Sequence, residues 1–247
     1  CLILAGYAAG CAARKIRALP AALLALIVAW GAAAINESLK WKSSLDLWRY
    51  AYLHAPAISD RIAVNYAVTL YGAKDMKEAD AVIARCGELI RPMPKGQWLI
   101  ARRMWDRGER GESLRRMIEL EKDKELRDIP AFVINLGVFL AETGDLEKAR
   151  SRLESATRRW PSQVEAWRNL GLCLNSMGHP GEAMQAFKRA LNLEPDNVEA
   201  WRGLSAAAWA AQDWPTAEEA FTRLAQLEPR NPENTHWLEQ ARKKNRQ

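Results

Sequence analysis

Cysteine and histidine are too few and too scattered in this 247-residue chain to build a disulfide framework or a metal centre. The four cysteines, Cys1, Cys11, Cys86 and Cys173, form no CxxC pair and read as buried free thiols. His54, His179 and His236 stand alone, with no cysteine or carboxylate at ligand spacing. No phosphate-cradling glycine loop, GxGxxG fingerprint or GxSxG elbow occurs. Acidic pairs such as Glu218-Glu219 fall on helix faces predicted to be solvated. The chain is therefore expected to hold no catalytic residue, no metal and no cofactor. Strand-like alternation is also missing from residues 60–247, which makes the expected fold class all-α.

A concentrated basic face is missing too. The net charge of +6 divides into +4 for residues 1–59, +2 for 60–129, −2 for 130–231 and +2 for 232–247. A nucleic-acid-binding domain gathers its Lys and Arg on one folded surface, so no nucleic-acid partner is expected. A basic excess beside a membrane accounts better for the pI of 9.2.

What is present first is an apolar run. Residues 18–35 carry no charge, and at 1.5 Å per residue such a stretch reaches about 27 Å, enough for a bilayer core. The alternative is a helix buried in a soluble core. Residues 1–13 are also uncharged and read as the end of a further, truncated span. Arg14, Lys15 and Arg17 form a short basic loop between the two, of the kind retained in the cytoplasm. That sends the later residues outward, to a periplasmic or luminal side, although Lys40, Lys42 and Arg49 weigh against it. A signal peptide fits poorly because the basic cluster follows an apolar stretch. A lipid-modified Cys1 has nothing upstream to support it. With no initiator Met, the chain is expected to be a fragment or a processed product.

Behind the apolar run lies a 34-residue period. Residues 130–163, 164–197 and 198–231 superpose. Trp167 aligns with Trp201, with Val133 before them. Leu136, Leu170 and Leu204 form one column, followed by Gly137, Gly171 and Ser205. Ala149, Ala183 and Ala217 form another, with Leu153, Phe187 and Phe221 four residues on. Pro161, Pro195 and Pro229 close the copies. Small residues let two helices approach, the larger apolar residue fills the space between copies, and proline stops the second helix. Ser162 with Glu165 and Asp196 with Glu199 have capping-box spacing, and Asn231-Pro232 suits a cap and first helical position. Gly144-Asp145 and Gly178-His179-Pro180-Gly181 mark the turns inside each pair.

These columns resemble the tetratricopeptide (TPR) repeat family. Upstream copies are eroded. Residues 60–93 keep Tyr66, Ala67, Leu70, Ala79 and Ile83 in register. Residues 94–129 keep Ile100, Ala101, Gly108, Ser113 and Met117, but add about two residues around Lys122–Asp128, and Arg102, Arg103 and Arg107 narrow the apolar stripe. Residues 232–247 read as a capping helix that solvates the last repeat. The expected organisation is thus a TPR solenoid of antiparallel helix pairs preceded by one or two transmembrane helices. It assigns 1–35 to the membrane segments, 36–59 to a junction helix, 60–129 to degenerate repeats, 130–231 to three clear repeats and 232–247 to the cap.

The resemblance implies a concave groove lined by the first helix of each pair and a protein or peptide partner. The family's inward positions fall on Asn65, Asn135 and Asn169, with Arg168, Asn175, Arg202 and Trp209 nearby. Asn can hold a peptide backbone, Arg can fork onto a carboxylate, and Trp can anchor an apolar side chain. The full Lys/Asn/Arg carboxylate clamp of the family is not present. The junction carries a second likeness. Asn36-Glu37-Ser38-Leu39-Lys40-Trp41, Ser44-Leu45-Asp46-Leu47-Trp48, Pro56, Arg61 and Asn65 resemble the membrane-to-repeat junction of TPR-bearing polytopic glycosyltransferases, the transmembrane O-mannosyltransferases among them. That likeness implies that this chain is the acceptor-presenting tail of an enzyme whose catalytic loop lies elsewhere. Trp41, Leu45 and Trp48 also recur at helical spacing, which equally suits docking of a helix onto the repeats.

Overall fold

The computed structural model describes residues 43–55, 57–73 and 75–246. The expected membrane segments at 1–13 and 18–35, together with Trp41 and Pro56 of the junction, lie outside these residues. Among the described residues no helix is long and apolar enough to cross a membrane. They form thirteen α-helices and no strand. These are α1 (Ser44–His54), α2 (Asp60–Gly72), α3 (Met76–Ile90), α4 (Pro94–Asp106), α5 (Arg110–Leu120), α6 (Lys124–Arg127), α7 (Pro130–Glu142), α8 (Leu146–Arg159), α9 (Val164–Ser176), α10 (Pro180–Leu193), α11 (Val198–Ala210), α12 (Trp214–Leu227) and α13 (Pro232–Asn245). The chain divides into two compact units between Val82 and Ile83, within α3.

In the first unit α1 packs on α2. Leu45 and Trp48 are only half-buried, and α1 has no fully buried residue. A polar clasp contributes instead. Arg49 donates from Nε to the Tyr66 hydroxyl at 3.1 Å and from its terminal nitrogen to Glu78 at 3.1 Å. The Tyr66 hydroxyl donates in turn to Glu78. Tyr66 is fully buried in α2, among Ala63, Val64, Ala67 and Leu70. Burial first, and the bond to Glu78 second, push the phenol pKa up.

The second unit stacks the pairs α4/α5, α7/α8, α9/α10 and α11/α12, with α13 packed on α12. The turns inside the pairs are one device repeated. Gly108, Gly144 and Gly178 take left-handed φ values of 87°, 90° and 80°, and Gln212 takes 57° at the fourth turn. In each turn the next amide closes onto the carbonyl five residues back, as in Glu109→Met104, Asp145→Leu140, His179→Leu174 and Asp213→Ala208. The four turn residues lie 36, 34 and 34 positions apart, so the structure carries the repeat register back into α4. The short α6 occupies part of the extra stretch in the longer copy.

Between copies, helices begin one residue later than the capping-box spacing predicts. Gln163 and Asn197 donate to the carbonyls of Trp160 and Glu194, which closes a turn around Pro161 and Pro195. Gln163 therefore precedes α9 and Ser162 does not cap it; no side-chain cap bond forms. Asn197, not Asp196, caps α11, its Oδ1 accepting from the Ala200 amide at 2.9 Å. Asp196 is left to meet Arg223 at 3.0 Å. Asn231 does cap α13, with Pro232 at the first position. Trp167 and Trp201 hook the same loops, donating their indole N–H to the carbonyls of Pro161 at 2.9 Å and Pro195 at 2.7 Å.

Candidate functional site

The first helices α7, α9 and α11 touch one another in sequence, whereas the second helices of successive pairs meet far less. That asymmetry puts the first helices on the inner side of the curve within this unit. Four columns run along these first helices. Trp98, Ile134, Arg168 and Arg202 share the first, and Leu99, Asn135, Asn169 and Gly203 the second. Arg102, Val138, Leu172 and Ala206 form the third, and Trp105, Ala141, Asn175 and Trp209 the fourth.

Arg168 and Arg202 occupy equivalent places with different surroundings. Arg202 meets Glu228 at 2.6 Å. Arg202, and after it the Asn234 amide, hold the Glu228 carboxyl below the usual carboxylate range. The counterpart of Glu228 one copy earlier is Glu194, which accepts from the Asn197 amide at 2.7 Å. Arg168 has no ion pair or hydrogen bond among the described residues, and its Nε is buried. The indole N–H of Trp98, in the same column and 5% exposed, is also buried without an acceptor among the described residues. A buried donor left open is costly and uncommon, so this column offers two donors to a ligand or to water.

The other predicted residues are placed less simply. Asn135 and Asn169 are half-buried on α7 and α9. Their column faces the preceding second helix, because a Cβ at Gly203 would lie 2.2 Å from the Phe187 ring. Asn175 is half-buried on the last turn of α9. Trp209 is committed to the capped end, with ring centroids 5.3 Å from Trp214, 6.3 Å from Phe221 and 5.1 Å from Trp237. Asn65 belongs to the first unit, half-buried on α2. Sequence reasoning missed Leu172, which is 47% exposed in the third column. The signal was there: an apolar residue follows the recurring small position, but the alignment treats it as one more helical leucine.

With this geometry in place, the family model for the tetratricopeptide repeat matches residues 140–207 and 174–235. Over residues 140–235 the chain is thus similar to tetratricopeptide repeats. No curated protein matches the chain in sequence. Solved TPR-like structures do match its fold. YrrB is 16% identical at a TM-score of 0.55, covering 76% of this chain and 96% of its own. PilF of Pseudomonas aeruginosa is 16% identical at 0.58, covering 71% and 79%. A thermophilic TPR protein of Thermus thermophilus is 20% identical at 0.56, covering 74% and 98%. The all-α solenoid is therefore shared with these proteins. The TPR columns also explain the close approach in the core: at Gly171 a Cβ would lie 2.8 Å from Phe187, the large residue of the paired helix.

Proposed function

We propose that this chain is a membrane-anchored TPR scaffold that holds an extended peptide segment of a partner protein along the first-helix face. Arg168 takes a carboxylate of that segment and Leu172 an apolar side chain. The observation that carries the reading is the guanidinium of Arg168, buried at Nε and unpartnered among the described residues, where its equivalent Arg202 has Glu228. YrrB, similar in fold, is described as a TPR protein with an unusual peptide-binding site, which supports a peptide as the ligand class. The anchor rests on the charge-free run at residues 18–35, and the extracytoplasmic side on the basic loop before it.

The test uses the full 247-residue chain, panned against a random library of peptides with free C-termini. Selected peptides should bind wild type, lose most affinity with Arg168→Ala, and bind normally to Arg189→Ala, which alters an exposed site on α10. Equal binding by wild type and Arg168→Ala removes the groove from the reading.

A second reading makes the repeats the acceptor-presenting part of a polytopic glycosyltransferase. The junction residues Ser44–Trp48, Arg61 and Asn65 motivate it. Extending the coding sequence upstream of Cys1 tests it: the absence there of several apolar spans and an early acidic loop removes it.

A further inference from the structure

Helix α1 inverts the usual arrangement of a helix at a protein surface, where charges face water and apolar residues face the core. Its arginine is turned onto the protein: Arg49 bonds the Tyr66 hydroxyl and Glu78. Its one carboxylate, Asp46, accepts from the Ser43 hydroxyl at 2.9 Å in the first turn. Apolar residues are left outside. Leu53 is 65% exposed and Tyr50 43%, and Leu47 is half-buried. Each of these follows the last at i, i+3, so they form one strip along the helix. Arg49 and Tyr52 mark the side that meets α2, the Tyr52 and Tyr66 ring centroids lying 5.0 Å apart. None of the eleven residues of α1 is fully buried, so packing on α2 does not cover the helix.

What covers the strip is limited by the chain itself. Eight residues, 36–43, separate the uncharged run from α1. An extended chain reaches at most about 3.6 Å per residue, which keeps the start of α1 within roughly 29 Å of the end of that run. Where the run crosses a membrane, a lipid surface is therefore within reach of α1. The residue types fit that surface. Trp48, Tyr50 and Tyr52 are three of the eleven residues. Trp and Tyr collect at membrane interfaces, because an apolar ring with a polar tip suits a layer dry on one side and wet on the other. Lys40 and Lys42, in the connecting residues, add charge of the sign that anionic headgroups attract.

We propose that α1 is an interfacial helix, lying among the lipid headgroups with Leu47, Tyr50 and Leu53 turned toward the acyl chains. The partner of this face is the lipid surface itself, and the proposal rests on the membrane reading of residues 18–35. The clasp of Arg49 with Tyr66 and Glu78 then has a second consequence. It holds the one arginine of the helix away from the lipid side and ties α2 to the interface.

The experiment reconstitutes the full chain, carrying Cys1→Ser and Cys11→Ser, in vesicles of phosphatidylcholine and phosphatidylglycerol. Cys86 and Cys173 are buried and stay unlabelled. One new cysteine at an exposed position, Leu53→Cys on α1 or Arg189→Cys on α10, takes a nitrobenzoxadiazole fluorophore. Flotation with the vesicles reads the anchor, and the emission of the label reads its surroundings. The label at Leu53→Cys should emit to the blue of the one at Arg189→Cys. Lipids carrying a doxyl group near the headgroup should quench it more than lipids carrying the group at the end of the acyl chain. A chain that floats, with a Leu53→Cys label that emits as in water and is not quenched, overturns the proposal and leaves the anchor standing. A blue shift that doxyl lipids do not quench also overturns it, because protein then covers the face. A chain that does not float removes the anchor and this proposal together.

Discussion

The ring of Phe187 fills the space that a side chain on Gly203 would need: a Cβ there would sit 2.2 Å from Cε1 and 2.3 Å from Cζ. Phe187 is fully buried on α10, and Gly203 belongs to the next copy, on α11. One residue thus decides the spacing of two repeats, and it explains why the Asn135 and Asn169 column ends in glycine.

Gly203→Ala should lower stability by about 1–3 kcal/mol through overpacking. Phe187→Leu in the same chain should recover part of that loss, because Leu153 holds the equivalent place one copy earlier. Urea unfolding followed by circular dichroism measures both. Equal stability of wild type and Gly203→Ala would show that the two helices are free to separate.

The left-handed turn at Gln212 is strained where its three counterparts are glycine. Gln212→Gly should stabilise the chain by about 0.5–1 kcal/mol, the relief of the left-handed conformation less the entropy glycine adds to the unfolded chain. A rise in the denaturation midpoint at constant slope is the expected reading. Gln212→Val, β-branched at the same φ, should move the midpoint the other way.

The capped end should loosen in acid. Arg202, then Asn234, depress the pKa of Glu228, and Asn245 and Arg242 depress that of Glu218, which binds α13 from α12. Depressed carboxyl pKa values contribute stability that is present above the unfolded carboxylate pKa and lost as pH falls through the lower folded value. Tryptophan fluorescence, reporting the Trp209–Trp237 contact, should therefore change before the global transition on acidification. Glu218→Gln removes one of the two titrating carboxylates and should shrink that early change.

In the first unit, Tyr66→Phe removes the buried hydroxyl that joins Arg49 to Glu78 and should cost about 1 kcal/mol. The raised phenol pKa gives the opposite pH sign to the carboxylates. Its contribution is present below the unfolded tyrosine pKa and lost as pH rises through the folded one. Alkaline destabilisation above about pH 10 should accordingly shrink in Tyr66→Phe. Hydrogen exchange of the α2 amides isolates this unit from the repeats.

The repeats were legible because each copy solves the same local problem with the same residues. Leu136, Gly137, Ala149 and Leu153 recur at a fixed spacing, and Pro161, Pro195 and Pro229 follow the second helices directly after their C-caps. Such features depend on backbone geometry within about thirty residues, which sequence periodicity reports directly. The caps were less legible. Ser162 and Asp196 have the right spacing, but backbone bonds in the loops move the helix starts by one residue. The Trp209 ring was assigned to a groove wall from its helix alone, and the capping helix draws it into contact with Trp237.

By itself, then, the sequence determined the helical repeat, its register, its turns and its closing prolines, because these are short-range consequences of small, apolar and φ-restricted residues. Tertiary structure decided which identical residues are engaged. Arg168 and Arg202 lie in equivalent sequence contexts, yet one is unpartnered among the described residues and the other meets Glu228. The physical reason is range: helix-forming preferences act within a turn or two, whereas the pairing of a charge depends on which distant side chains the packed helices bring within about 4 Å.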